Sequence, residues 1–247
     1  MPSADGKGRT LLDILTGRNK KDLTPLELQY HNPLGCRVGS VICCDENYVS
    51  GVNFTVEKIS VYKTDLSRQT FWHTDYHLKG VRLGDDKYLR MRLRLIADDN
   101  VVNELGHQIQ LLEAFKESGW DKGLYQLLCE NGDYDTEYDS DDFPSFKLWE
   151  NYNGEQLETP YQYWRIENVP DPYKSQCTVL QDTDGDGTVE DEELEHFPVT
   201  SWDFSRLTED ENGLEIIEYL NVEMDDENRY FTFLRGNDVK AFQITVF

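Results

Sequence analysis

The chain has no long apolar run. Across its 247 residues nothing approaches the roughly 18 consecutive apolar residues of a membrane-spanning helix. The apolar patch Leu11, Leu12, Ile14 and Leu15 is too short for a signal-peptide core, so the expected location is the cytoplasm. Basic residues are scarce, 24 against 48 acidic ones, for a net charge of −24. That balance repels phosphates and anionic headgroups and argues against nucleic acid or a membrane surface as a partner. The five cysteines, Cys36, Cys43, Cys44, Cys129 and Cys177, are odd in number and scattered, and form neither a disulfide framework nor a zinc site. Also missing are a nucleophile elbow, a phosphate-cradling glycine loop and a zinc-hydrolase helix motif, and no residue takes a catalytic role.

What is present is a hydrophobic content of 38% and an aromatic content of 12%, enough for a folded core. Residues 1–32 read as an appendage with short helices, the second opened by Thr24-Pro25. From residue 33 the texture is that of strands: Val38–Cys43, Phe54–Tyr62, Thr70–Leu78 and Lys87–Ile96 are rich in β-branched and aromatic residues. The fourth alternates cleanly, with Arg90, Arg92 and Arg94 on one face and Leu89, Met91, Leu93 and Leu95 on the other. The spacing of Leu105, Ile109, Leu112 and Phe115 predicts a helix ended by Gly119, and a second short helix is expected around Trp120–Leu128.

An acidic stretch, Asp133–Asp142, marks a domain boundary, with a β-rich domain at 33–130 before it and another at 143–247 after it. Strands resume at Phe146–Trp149, Tyr161–Ile166, Tyr173–Leu180, Val199–Phe204, Leu214–Val222, Tyr230–Leu234 and Ala241–Phe247, with a four-residue hairpin loop at Asp225–Asn228. The expected fold is mainly β (α+β): two antiparallel β-rich halves around a small central helical insertion, as a meander or small barrel.

The loop Asp182-Thr183-Asp184-Gly185-Asp186-Gly187-Thr188-Val189-Glu190-Asp191-Glu192-Glu193 resembles an EF-hand calcium loop. Calcium needs six to eight oxygens, which a short chain supplies by wrapping around it. The resemblance implies one carboxylate oxygen each from Asp182, Asp184 and Asp186, and the backbone carbonyl of Thr188. Glu190 would bind directly or through water, and Glu193 would close the site in bidentate fashion. Gly187 sits at the sharp turn, Val189 at the apolar anchor, and Leu194 follows the closing glutamate. Eight carboxylates lie between Asp182 and Glu195, so an ion would order this segment as well as occupy it.

The flanks depart from the family. Tyr173–Leu180 reads as a strand, Gln181 replaces an apolar residue, and Pro198 limits any exit helix. A structural staple between strands therefore fits better than a helix-opening calcium sensor.

Three other groups stand out. His73, Asp75 and His77 share a face if they lie on a strand, but spread over roughly 13 Å, too far for one ion. Arg90, Arg92 and Arg94 could receive an anion, although pairing with the protein's own carboxylates fits so acidic a chain better. Tyr161, Tyr163, Trp164, Trp202 and Phe204 suit either a partner surface or a β core.

Over the whole chain, Asn32-Pro33-Leu34-Gly35-Cys36-Arg37-Val38-Gly39 and Tyr163-Trp164-Arg165 are similar to segments of uncharacterised bacterial proteins encoded beside phage shock protein A homologues. That resemblance implies an accessory or interaction protein. The functional expectation is an acidic, calcium-binding, non-enzymatic scaffold or partner-binding module. The alternatives are a hydrolase-like enzyme with a cleft between the halves, and a calcium sensor.

Overall fold

The computed structural model describes residues 32–45, 49–66, 69–82, 88–97, 107–130, 145–150, 155–166, 172–180, 194–210 and 212–247. The expected N-terminal helices before residue 32, the acidic stretch 133–142 and the calcium loop 182–193 lie outside them. Among the described residues twelve strands form one antiparallel sheet: β1 (Val41–Cys44), β2 (Asn53–Leu66), β3 (Gln69–Val81), β4 (Tyr88–Ala97), β5 (His107–Gly119), β6 (Ser145–Glu150), β7 (Gln156–Arg165), β8 (Tyr173–Leu180), β9 (Leu194–Glu209), β10 (Glu215–Asp225), β11 (Tyr230–Asp238) and β12 (Ile244–Val246). Among the described residues the one α-helix, α1 (Lys122–Glu130), holds Leu124, Leu127 and Leu128, and a 3-10 turn covers Ala241–Gln243. Asp121 caps α1, accepting the Leu124 N–H at 2.8 Å. The protein is mainly β, and eight of its strands close a barrel.

The ring runs β2-β3-β4-β5-β11-β10-β9-β8 and back to β2. It consists of two four-stranded meanders, β2–β5 and β8–β11. First strand pairs with first (Ile59 opposite Leu180) and last with last (Leu112 opposite Gly236). This is the connectivity of a two-fold-related pair. The registers agree: Asp75 lies opposite Arg94 between β3 and β4, and Asp203 opposite Asn221 between β9 and β10. Outside the ring, β1 and β12 extend the sheet from the start of β2, and β7 and β6 extend it from the second half of β9.

Strand alternation assigns the two faces. Arg92 and Arg94 on β4 bond Glu223 on β10, and Asp75 on β3 joins them, although β10 lies opposite β3 in the ring. The polar face is therefore the inner one. The apolar faces point outward, and the main cores sit outside the barrel. One joins Phe54, Tyr76, Leu89, Met91, Leu93 and Leu95 to Ile42, Cys44, Val49 and Val52. The other joins Trp202, Phe204, Leu220, Val222, Phe231 and Phe233 to Phe146 and Leu148 of β6, Tyr163 of β7 and Leu128 of α1. Among the aromatics singled out in the sequence, Tyr163, Trp202 and Phe204 are thus core, while Trp164 is 38% exposed.

Leu105 lies outside the described residues, and from His107 on the helix expected over Leu105–Phe115 is the strand β5. It pairs on both sides and is apolar on both faces: Ile109 and Leu111 point outward, Leu112 inward. The register then slips at Phe115, skipped between Ala114 opposite Leu234 and Lys116 opposite Phe233, and Phe115 packs into the outer core. Two-sided burial plus a bulge imitates helical spacing. All five cysteines are free thiols, and on β1 Cys44 is buried while Cys43 is partly exposed.

Candidate functional site

The inner face of the barrel buries one cluster of charge, and a second, the buried Glu218 and Arg235 with the half-buried Arg206, lies on the outer face of β9, β10 and β11. The two seams between the meanders are apolar: Tyr62, Cys177, Val179 and Val199 along β2, β8 and β9, and Leu112, Tyr219 and Leu234 along β5, β10 and β11. The middle strands of each meander bring the polar groups between these seams. Arg94 donates to both oxygens of Asp75 at 2.8 Å through Nε and Nη2, and also to Glu223. Arg92 donates to Asp75 at 3.3 Å and to Glu223. Asp75 is 0% exposed and Arg94 3%, so two cations and two anions are withdrawn from water together.

Burial opposes ionisation of Asp75, but the charge and hydrogen bonds of Arg94, with His73 and Arg92 behind, hold its carboxyl well below the usual range. Glu223 follows the same pattern: burial raises it, and Arg92 and Arg94 pull it lower still. His73 stacks on Tyr62 at 4.3 Å. Burial, reinforced by Arg94, lowers its pKa to about 4 and keeps the ring neutral. His77 sits 2.9 Å from the Ser60 hydroxyl and is depressed by burial, Arg92 and Lys58. Further round, Asp203 accepts hydrogen bonds from Tyr173 at 2.9 Å and Asn221 at 2.6 Å, and burial raises its pKa.

His73, Asp75 and Glu223 place one potential ligand atom each within 4.8 Å of one another. The same carboxylate oxygens already serve two guanidinium groups, so a cation would have to displace Arg92 and Arg94. The donor set fits a closed ion-pair network better than a metal centre. His73 and Asp75 do share a face, but that face lines the barrel rather than half-exposed sheet, and His77 reaches Ser60 instead of joining them. Arg92 and Arg94 pair with carboxylates as expected, and Arg90 pairs with Glu117 at 2.8 Å. Sequence reasoning missed Glu223. The available signal was the polar alternation of Tyr219, Asn221 and Glu223 against Leu220, Val222 and Met224 on β10.

Asp182, Asp184, Asp186, Thr188, Glu190 and Glu193 lie outside the described residues. What surrounds them is described: β8 and β9 pair antiparallel from Tyr173 opposite Ser201 up to Leu180 opposite Leu194. A β-hairpin therefore closes the loop's ends. Pro198 sits inside β9, one residue past the end of the β10 ladder at Val199, and its carbonyl accepts the Asp226 N–H at 3.0 Å while its missing N–H falls beyond the ladder. Among the described residues no helix is long and apolar enough to cross a membrane. No protein-family model matches the chain, and no curated protein or solved structure matches it either.

Proposed function

We propose that the chain is a non-enzymatic calcium-binding protein in which one ion staples the β8–β9 hairpin of a barrel that serves as a partner-binding module. The observation that supports this reading most is the pairing of Leu180 with Leu194. It holds the ends of a twelve-residue acidic loop together through strands rather than helices. An ion bound by Asp182, Asp184, Asp186, the Thr188 carbonyl, Glu190 and Glu193 would neutralise the loop's mutual repulsion and lock the hairpin. Strands on both sides leave no pair of helices to open, which favours a staple over a sensor. Asp75 and Glu223 at the centre of the barrel are already taken up by Arg92 and Arg94, which supports a structural rather than catalytic role for that cluster.

Thermal unfolding in excess chelator, then with calcium added stepwise, tests the reading. The expected result is a melting temperature that rises and saturates with one ion, with the circular dichroism spectrum unchanged. At a calcium concentration a hundredfold above Kd the gain is about 2.7 kcal/mol. The same response in Asp182→Ala/Glu193→Ala, or no response at millimolar calcium, would reject the site.

A further inference from the structure

On the outer side of the sheet a groove of about 690 Å³ lies between β6 on one side and β5, α1 and β11 on the other. Its walls are Trp120, Leu124, Leu127, Phe146, Leu148 and Trp149, with Phe233 also lining it. Three of these large apolar side chains stay open to solvent, Trp120 at 41%, Trp149 at 47% and Leu127 at 50%. Single exposed apolar residues need no explanation, but several converging on one concave site do.

The backbone beside the groove is equally informative. β6 ends the sheet on this side, and among the described residues it pairs only with β7. Every residue from Phe146 to Glu150 lines the groove, odd and even alike. In a strand, successive side chains point to opposite faces, so a groove touching all of them runs along the strand's edge rather than over one face. The β6–β7 register also slips between Leu148 and Glu150, at Trp149, and bulges of this kind re-aim a side chain. An open strand edge beside apolar pockets is the arrangement that accepts an added strand, with main-chain bonds supplying affinity and alternate side chains filling the pockets.

Charge selects the occupant. Within the groove Lys116 is held by Glu150 at 2.9 Å, and Lys147 and Asp121 offset one another in formal charge. Beyond it the chain carries 24 surplus negative charges, and the sequence joining α1 to β6, residues 131–144, contains six acidic residues and no basic one. The surrounding potential attracts cationic chains and repels acidic ones. We infer that the groove binds an extended segment of a partner protein, alternating apolar with Lys or Arg side chains, which adds as a strand along the outer edge of β6 over Phe146–Glu150.

This inference rests on the partner-binding half of the proposed function and is independent of the calcium half. The test uses the full chain and a fluorescently labelled octapeptide, Lys-Ile-Arg-Val-Lys-Leu-Arg-Val, followed by anisotropy. Saturable one-to-one binding is expected. The version with Glu at every basic position should bind at least about tenfold more weakly. Of two peptides N-methylated at alternate residues, one in each frame, one should bind and the other fail, because only one edge of an added strand meets β6. Trp149→Ala and Leu127→Ser, both exposed positions that leave the core intact, should each weaken binding by about tenfold, while Trp164→Ala on β7 leaves it unchanged.

Absence of saturable binding, equal binding by the acidic peptide, loss in both methylated frames, or indifference to Trp149→Ala would each overturn the proposal. So would a dimer of the chain alone that Trp149→Ala converts to monomer, since the groove's occupant would then be a second copy. Calcium titrations of the groove variants should match those of the parent chain, so failure at one site is not read as failure at the other.

Discussion

Arg94 and Glu223 meet across the barrel, from β4 on one meander to β10 on the other, while Arg94 is held to its strand neighbour Asp75 by two hydrogen bonds of 2.8 Å. The guanidinium thus joins a local pair to a long-range one. The two meanders also meet along the seams β2–β8 and β5–β11, through backbone ladders and apolar side chains, and this charged cluster reaches across the space between those seams.

Removing one member should expose the cost of burying the rest. In Arg94→Met, Asp75 and Glu223 keep only Arg92, and a loss of about 3–5 kcal/mol in urea unfolding is expected. Arg94→Leu combined with Glu223→Leu leaves the balanced pair Asp75 and Arg92, and should recover much of that loss. A double variant as unstable as the sum of Arg94→Leu and Glu223→Leu measured singly would mean that these two groups are not coupled.

The interior should also make the protein sensitive to mild acid. His73 is held neutral with a pKa near 4, and His77 is depressed as well, by burial and by Arg92 and Lys58 against the opposing pull of Asp75. In the unfolded chain both histidines titrate near the ordinary value of about 6.5. Between those values the unfolded state binds more protons, so stability is present above pH 6.5 and lost as pH falls toward 4. The slope is at most about 1.4 kcal/mol per pH unit for each histidine. Asp75 and Glu223, also depressed, extend the loss to lower pH, while Asp203, whose pKa is raised, works the other way. Melting temperatures from pH 7.5 to 5.0 check this: His73→Asn/His77→Gln should flatten the curve, and a parallel decline would reject the assignment.

Much of this was legible in the sequence, and the exceptions share a cause. The alternation of Arg90, Arg92 and Arg94 against four apolar residues announced β4 and its two faces. Asp225–Asn228 foretold the β10–β11 hairpin, whose turn occupies residues 226–229. Local pattern carries such features. Which face lines a barrel, and that Glu223 answers Arg94 from 129 residues away, depends on how remote strands pair, and no local pattern encodes that. β5 was misread for the same reason, since apolar residues on both faces leave no period-two signal.

Closure itself has a weak point that one atom should break. Gly236 on β11 lies opposite Leu112, and a Cβ there would come within 1.9 Å of the Leu111 carbonyl oxygen and 2.9 Å of the Leu112 Cα. Both contacts are backbone and cannot rotate away. Gly236→Ala must therefore part β5 from β11, one of the two seams of the ring. A loss of about 4 kcal/mol or more is expected in urea unfolding. The control is Gly213→Ala at an exposed turn with φ of +76° and nothing within 4 Å, where the left-handed backbone alone should cost roughly 1–2 kcal/mol.

Calcium should act locally if it acts as a staple, and hydrogen exchange can locate the effect. The loop 182–193 joins Leu180 to Leu194, and the ladder behind it pairs Val179 with Glu195, Cys177 with Phe197 and Ser175 with Val199. Ordering the loop removes the fraying of this hairpin from its tip, so amide protection should rise along β8 and the first half of β9. It should also rise on β2, because Ile59 to Thr64 pair with β8. Opposite them on the ring, β4, β5 and β11 share no backbone ladder with the hairpin among the described residues, and their protection should not change beyond the global gain in stability. Protection confined to β8, β9 and β2 would identify a staple. A uniform change, or one centred on Asp75 and Glu223, would place the ion elsewhere and remove the loop from the account.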